Sequence, residues 1–454
     1  MRNFARNFNF MTMKAKNGDG LFRRDGINYL LPFVLITSCF ALWGFAHNVT
    51  SPMVEAFSTI FRMNVTDGAL VQVAFYGGYF CMAFPAALFI QRYTFKAGVL
   101  LGLTLFAIGS LLFIPASMTG FYYPFLIAYF ILTCGLSFLE TSCNPYIYVM
   151  GSEATATRRL NLAQAFNPIG NIAGMFVAMI FVQSRLNPMS TQERALLDDT
   201  QFEAVKNSDL SVLIQPYIGL GIVVLAVLFV LRLTRMPKHC EVSSGKKLST
   251  ALLEIFHIKN FREGVIAQFF YEGAEIICFT FIIQYGKRLF IDEGMSEMDA
   301  RLTAQHFSIA AMLLFCGGRF LFTWLMRYVR AGRLLTILAI LAIVFLCGVI
   351  TMQNRVGIVC LVMVSLCMSI MFPTIYGMAL HGLGENVKFG GAGLVMSILG
   401  GSVFPPIQAL IIDSGISLMG IPAINLSFFV PVFCFIVVAT YGQRALTRMT
   451  SAEQ

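Results

Sequence analysis

Charged residues are scarce in this chain: aspartate, glutamate, lysine and arginine together make up 12% of its 454 residues. A soluble globular domain has roughly a quarter of its residues charged, so this composition excludes a soluble protein. Hydrophobic residues make up 57% of the chain and occur in long continuous runs. Only helices and closed barrels satisfy the backbone in lipid, and long apolar runs select helices.

Patterns typical of disulfides, metal sites and catalysis are also missing. The chain has 11 cysteines and 5 histidines, but no CxxC pair and no Cys/His cluster. Disulfide frameworks and zinc sites are therefore not expected. The histidines are scattered along the chain, and no loop carries a catalytic motif. We predict that the protein is not an enzyme and needs no cofactor.

Twelve apolar segments are each close to the roughly 20 residues that cross the hydrocarbon. They cover residues 28–50, 67–91, 97–116, 121–150, 160–184, 210–233, 262–285, 302–326, 334–352, 357–380, 390–413 and 423–443. With the N-terminus inside, lysine and arginine concentrate in the inner loops and tails. The positive-inside rule therefore explains the net charge of +9 and predicts that both termini are cytoplasmic. Nucleic-acid binding would need a basic soluble module, and none is predicted.

The sequence contains an internal repeat. PYIYVM at 145–150 recurs as PTIYGM at 373–378, an offset of 228, and RYTFKAGVLL at 92–101 recurs as RYVRAGRLL at 327–335. We predict an all-α membrane protein with 12 transmembrane helices in two six-helix bundles, an arrangement that alternating-access transporters use. The predicted parts are a basic tail (1–27), the N-terminal bundle (28–233), a linker (234–261), the C-terminal bundle (262–443) and a short tail (444–454).

Ionisable side chains inside a predicted span are functional candidates, because a charge in the membrane is costly. Glu140 lies well inside the fourth span, where a carboxyl group can take a proton from one side and release it to the other. The alternative is a permanent ion pair, with Arg319 as the candidate partner. Arg319 itself could contact the substrate, but we favour a structural role, in which it snorkels towards the inner loop or caps helix carbonyl groups.

The 228-residue offset pairs the first helices of the two halves. It places His47 on Glu275 and Trp43 on Tyr271. His47 and Glu275 are therefore predicted symmetry mates, and both are candidates for proton coupling together with Glu140. The alternative for His47 is a neutral ring that bonds substrate or a neighbouring helix.

Amide side chains form the candidate binding residues. Gln164 and Asn167 are three positions apart, which predicts that they share one face of the fifth helix. Asn48 lies in the first helix beside Trp43, whose ring can cover the apolar face of a sugar. Amides offer the paired donors and acceptors that hydroxyl groups need, although they also bond helices together. Amides with few cations favour a neutral polyol over a phosphate or carboxylate.

Six segments, in this order, resemble the L-fucose–proton symporter family of the major facilitator superfamily: WGFAHN, AFYGGYF, LETSCNPY, RLNLAQAFN, AQFFYEGAE and FPTIYGMAL. The resemblance covers nearly the whole chain. It implies the two-bundle major facilitator fold, uptake of a monosaccharide and coupling to the proton gradient.

Carried over residue by residue, the resemblance assigns Glu140 to the proton-coupling glutamate of the fourth helix. It assigns Asn48, Gln164 and Asn167 to amides that contact the sugar. Three positions depart from the family pattern. The amide pair of the first helix is here His47–Asn48. Ser51 replaces an acid that is usual in the first helix, and Phe372 stands where the fucose transporter has a tyrosine.

The leading prediction is a proton-coupled symporter in the cytoplasmic (inner) membrane that imports a neutral monosaccharide, L-fucose or a related hexose, by alternating access. Its expected partners are the sugar, the coupling proton and the lipid bilayer, with no obligate protein partner. Alternatives of the same fold are a sodium-coupled or uncoupled sugar carrier, or an exporter. A membrane enzyme or sugar sensor is disfavoured, because a nucleophile, a metal cluster and a signalling domain are all missing.

Overall fold

A computed structural model describes residues 21–24, 27–50, 53–63, 70–189, 193–194, 196–234, 254–418 and 420–452. Ser51, nearly all of the predicted basic tail and most of the predicted linker lie outside these residues. Within them the chain is helical apart from one short antiparallel hairpin, in which Arg23–Arg24 pairs with Ile27–Asn28.

Twelve helical segments in the described residues are long and apolar enough to cross a membrane, which confirms the predicted number. Numbered α1 to α12, they are Leu30–Val49, Val73–Arg92, Phe95–Thr119, Tyr123–Val149, Glu153–Val182, Asp199–Leu233, Lys259–Asp292, Asp299–Leu325, Ala331–Thr351, Arg355–Leu380, Val387–Asp413 and Ala423–Arg448. A short helix, Met53–Ile60, follows α1. Helices α6 and α7 extend beyond the predicted spans, because hydropathy detects only the apolar part of a helix.

Five of the spans are divided into shorter helical pieces, and the breaks matter for the candidate site. The pieces are Phe95–Leu111 and Phe113–Thr119 in α3; Glu153–Thr155, Ala156–Gln164, Asn167–Val177 and Ala178–Gln183 in α5; Arg355–Met368 and Met371–Leu380 in α10; Val387–Met396, Ser397–Leu399 and Gly400–Asp413 in α11; and Ala423–Leu426 and Phe429–Ala452 in α12.

The helices form two compact units. Unit A contains Tyr29–Ile147 and Phe166–Gly245, and unit B contains Met1–Asn28, Tyr148–Ala165 and Lys246–Gln454. The chain therefore passes from unit B to unit A within α5, between Ala165 and Phe166. This is also where α5 is interrupted.

Glycines set the closest helix contacts, and these contacts repeat between the units. In unit A, a Cβ on Gly170 of α5 would overlap the carbonyl oxygen of Ala41 in α1. In unit B, a Cβ on Gly400 of α11 would overlap the carbonyl oxygen of Phe269 in α7 in the same way. Ala41 and Phe269 are 228 positions apart, which is the offset of the sequence repeat. The repeat is therefore present in the packing, where small residues let membrane helices approach closely.

We expect Gly170→Ala to destabilise the protein by about 1–3 kcal/mol, because the added methyl group would overlap backbone that cannot move aside without separating α1 from α5. The matched control is Gly219→Ala in α6, where a Cβ meets nothing within 4 Å. Thermal unfolding of the purified protein measures both variants. Equal melting temperatures for the two would contradict the packing described here.

Candidate transport site

Glu140 lies inside α4 in unit A and is 7% exposed. Its Oε2 atom is buried and has no hydrogen-bond partner among the described residues. The thiol of Cys143, one turn along the helix, lies close to both Glu140 and Cys39. None of the ion pairs in the described part of the chain includes Glu140. The alternative of a permanent ion pair is therefore not supported, and burial of an unpaired carboxylate carries a free-energy cost that protonation removes.

Helix α1 carries three of the predicted site residues in unit A. The Trp43 ring packs on Phe40 with 4.2 Å between the ring centroids, and only 4% of Trp43 is exposed. His47 is half-buried and meets the ring of Phe75 edge-on at 5.4 Å. Asn48 is also half-buried. The polar residues therefore do not interrupt the helix, which continues to Thr50.

Asn167 connects α5 to α1 within unit A. Its Nδ2 donates to the carbonyl oxygen of Phe40 at 3.4 Å, and its Oδ1 accepts from Nδ2 of Asn171 at 3.3 Å. An amide can donate two and accept two hydrogen bonds, so one donor and one lone pair of Asn167 are not used by these contacts. Asn167 therefore bonds the two helices together, which is one of the two roles that the sequence predicts for these amides. The remaining donor and lone pair can still bind a ligand.

Helix α5 is interrupted between Gln164 and Asn167, and their sharing of one helix face stays a prediction. Gln164 is the last residue of Ala156–Gln164, and Asn167 is the first of Asn167–Val177. The cause is Pro168, which has no N–H to donate to the carbonyl group four residues earlier and whose ring crowds it. That carbonyl belongs to Gln164.

Arg319 of α8 takes the place of the missing helical donor. Its Nη1 donates to the backbone oxygen of Gln164 at 2.6 Å and approaches Oε1 of the same residue at 3.5 Å. The guanidinium also lies over the ring of Phe315, 4.7 Å from its centroid, and Arg319 is 4% exposed. The prediction that Arg319 caps helix carbonyl groups is confirmed.

Glu275 belongs to an electrostatic cluster in unit B. Arg319 is the opposite charge that acts on it, and the Tyr271 hydroxyl lies within hydrogen-bond reach of its carboxyl group. The same hydroxyl donates to the Met368 carbonyl at 3.1 Å, beside the break in α10. One turn earlier in α7, Glu272 accepts from Nε2 of Gln268 at 3.3 Å. Two acids and one arginine thus share the interior of this unit.

The first part of α5 also contacts α10 in unit B. Nδ2 of Asn161 donates to Oγ1 of Thr374 at 3.2 Å, and both residues are buried. Phe372, two residues earlier, is 9% exposed and stacks on Tyr376 at 6.0 Å. Sequence reasoning missed Asn161, although it lies one turn before Gln164 on the same helix, and that spacing is the signal that was available.

The predicted residues therefore divide between the two units. Unit A holds Trp43, His47, Asn48, Glu140 and Asn167, and unit B holds Gln164, Glu275 and Phe372 with Arg319. In the first helix of each repeat, one predicted residue lies six positions after the residue that a close glycine contacts. His47 follows Ala41 in this way, and Glu275 follows Phe269. The predicted symmetry of these two positions agrees with the packing.

Comparison with known proteins identifies the class. The family model of the Major Facilitator Superfamily matches residues 35–405. The L-fucose-proton symporter of Haemophilus influenzae is 47% identical over 423 residues, which is 92% of this chain and 97% of that protein. The corresponding protein of Escherichia coli is 32% identical, covering 92% and 93%. A glucose/galactose transporter of Brucella abortus is 31% identical, covering 91% and 94%.

Solved structures agree on the fold. The crystal structure of the transporter FucP in the outward conformation superposes with a TM-score of 0.82 at 31% identity, covering 92% of this chain and 99% of that one. A twelve-span chain of this fold is a multi-pass membrane carrier, and transporter relatives support a carrier over an enzyme. The chain belongs to the major facilitator superfamily and, within it, to the L-fucose–proton symporter family.

Proposed function

We propose that the protein is a proton-coupled symporter that imports L-fucose across the bacterial inner membrane by alternating access. The observation that carries the proposal is the 47% identity to an L-fucose-proton symporter over 92% of this chain. Glu140 supports it independently, since a buried carboxyl group without a cationic partner is suited to carry a proton.

Roles for the individual residues follow from their chemistry. Glu140 is the principal proton carrier, and Glu275 and His47 are the further titratable groups of the coupling. Asn48, Gln164 and Asn167 contact the sugar through their amides. Trp43 and Phe372 cover its apolar faces, as aromatic rings do for carbohydrate C–H groups. No charged side chain is assigned to the sugar, which suits a neutral substrate.

A second substrate is supported by a specific observation. The glucose/galactose transporter of Brucella abortus is 31% identical over 91% of this chain, nearly as similar as the Escherichia coli relative. D-galactose and D-glucose are therefore the competitors that matter. They differ from each other only in the orientation of the hydroxyl group at C4. A difference between their competition therefore reports on the protein's contact with that hydroxyl group.

The deciding experiment is uptake of labelled L-fucose into proteoliposomes under imposed proton and sodium gradients, with external pH recorded. We expect accumulation only with the proton gradient, alkalinisation of the medium on sugar addition, and stronger competition by unlabelled L-fucose than by D-galactose or D-glucose. Sodium-driven accumulation would overturn proton coupling. Stronger competition by D-glucose would overturn the assignment of the sugar.

A further inference from the structure

Arg319 interacts with two acceptors of different strength in unit B. One is the backbone carbonyl of Gln164, which it binds at 2.6 Å. The other is the carboxyl group of Glu275, which interacts electrostatically with Arg319. None of the ion pairs in the described part of the chain joins the two, so Arg319 is bound to Gln164 and not to Glu275. A buried guanidinium that prefers a carbonyl to a nearby carboxyl group requires an explanation.

The state of the carboxyl group provides one. An ionised carboxylate is a much stronger acceptor for guanidinium than a neutral amide is. A protonated carboxyl group offers no charge, and then the Gln164 carbonyl is the better partner. This carbonyl has a particular need for a donor, because Pro168 cannot supply the helical N–H.

We propose that Arg319 is a positioning residue that exchanges between Gln164 and Glu275, and that protonation of Glu275 decides which of them it binds. The inference rests on the proposed function, since Gln164 is there a sugar contact. With Glu275 protonated, Arg319 fixes the end of Ala156–Gln164 and orients the Gln164 amide. With Glu275 ionised, Arg319 moves to the carboxylate and the Gln164 carbonyl loses its donor.

The consequence is coupling between proton and sugar. If a proton on Glu275 holds Gln164 in place, then sugar bound to Gln164 stabilises that proton by the same factor. Sugar affinity therefore falls as pH rises through the titration of Glu275. Both ligands favour the same arrangement, which is the requirement for symport.

Several other groups act on this pair. On α7 these are Tyr271, which is within hydrogen-bond reach of Glu275, and Glu272, which also interacts with Arg319. The thiols of Cys278 on α7 and Cys316 on α8 lie near Glu275 and Arg319 respectively, and Cys434 on α12 lies near Cys278. Helix α10 contributes the Met368 carbonyl through Tyr271. Of these, Glu272 is the other acid, and it is the natural control.

The test is the dissociation constant of L-fucose for the purified full chain, measured by calorimetry across neutral and alkaline pH. Glu275→Gln mimics the protonated carboxyl group, so Arg319 remains on Gln164 at every pH. In the wild type, we expect the affinity for L-fucose to fall about tenfold as pH rises, which corresponds to roughly one hydrogen bond. In Glu275→Gln this fall should be missing. Glu272→Gln removes a charge one turn away and should keep the wild-type profile.

A double-mutant cycle then assigns the effect to Arg319. Arg319→Lys keeps the charge but cannot serve both oxygen atoms of Gln164, and in this background Glu275→Gln should change the pH profile no further. An unchanged profile in Glu275→Gln, or an effect that persists undiminished in the Arg319→Lys background, would overturn the inference. If thermal unfolding shows that Arg319→Lys is not folded, the comparison of Glu275→Gln with Glu272→Gln decides alone. Failure of the wild type to bind any neutral sugar would overturn the proposed function itself, and this inference with it.

Discussion

Glu140→Gln is expected to abolish uphill accumulation of L-fucose while leaving exchange of internal for external sugar intact. Glutamine keeps the size and hydrogen-bonding groups of the side chain but cannot take up or release a proton. The internal concentration should then rise only to about the external one, since the sugar gradient alone drives net flow. Exchange needs no net proton movement and continues. Proteoliposomes loaded with and without unlabelled sugar measure the two processes separately.

The matched control is Glu297→Gln, two residues before α8, where the same helix begins. The hydrogen bond from Lys287 holds the pKa of Glu297 below its usual range, so this carboxylate is ionised throughout the neutral range. A group that stays ionised carries no proton through the cycle, and its removal should leave accumulation at the wild-type level. Wild-type accumulation by Glu140→Gln under an imposed proton gradient would contradict the role of Glu140. Loss of exchange together with accumulation would indicate damage to sugar binding instead.

The number of spans and their repetition could be predicted from the sequence because both depend on patterns that extend over many residues. An apolar run must have a certain length to cross the hydrocarbon, and twelve such runs recur. The 228-residue offset is that of one short match, and the contacts of Gly170 and Gly400 reproduce it in the packing. The burial of Glu140 could also be predicted, because it lies deep in an apolar segment.

The partner of Arg319 could not be predicted in the same way. Spacing along a helix predicts which residues share a face only if the helix is continuous, and Pro168 interrupts α5 between Gln164 and Asn167. The freed carbonyl is a backbone group, invisible to any search for side-chain patterns. Which distant donor reaches it depends on how α8 packs against the first part of α5, and that is a tertiary property.

Gln164→Ala is expected to weaken L-fucose binding by about tenfold to a hundredfold with little change in melting temperature. The substitution removes the amide proposed to contact the sugar and leaves hydroxyl groups of a bound sugar without partners, a loss of about 1–3 kcal/mol. Stability should change little, because the main contact of Arg319 is with the backbone oxygen at 2.6 Å, which alanine retains. Calorimetry of sugar binding and thermal unfolding measure the two quantities on the same sample.

For Asn425→Ala we expect the opposite result, lower stability with unchanged sugar affinity. Comparing it with Gln164→Ala distinguishes a residue that contacts the sugar from one that only stabilises the fold. The buried Asn425 amide donates to the Val349 carbonyl at 2.8 Å, so its loss should lower stability by about 1–3 kcal/mol without altering sugar affinity. If Gln164→Ala instead lowers the melting temperature as much as Asn425→Ala and leaves affinity unchanged, then Gln164 is a structural amide. The capping by Arg319 would then be the whole purpose of that position, because a backbone carbonyl freed by proline inside a membrane must find a donor whatever the substrate.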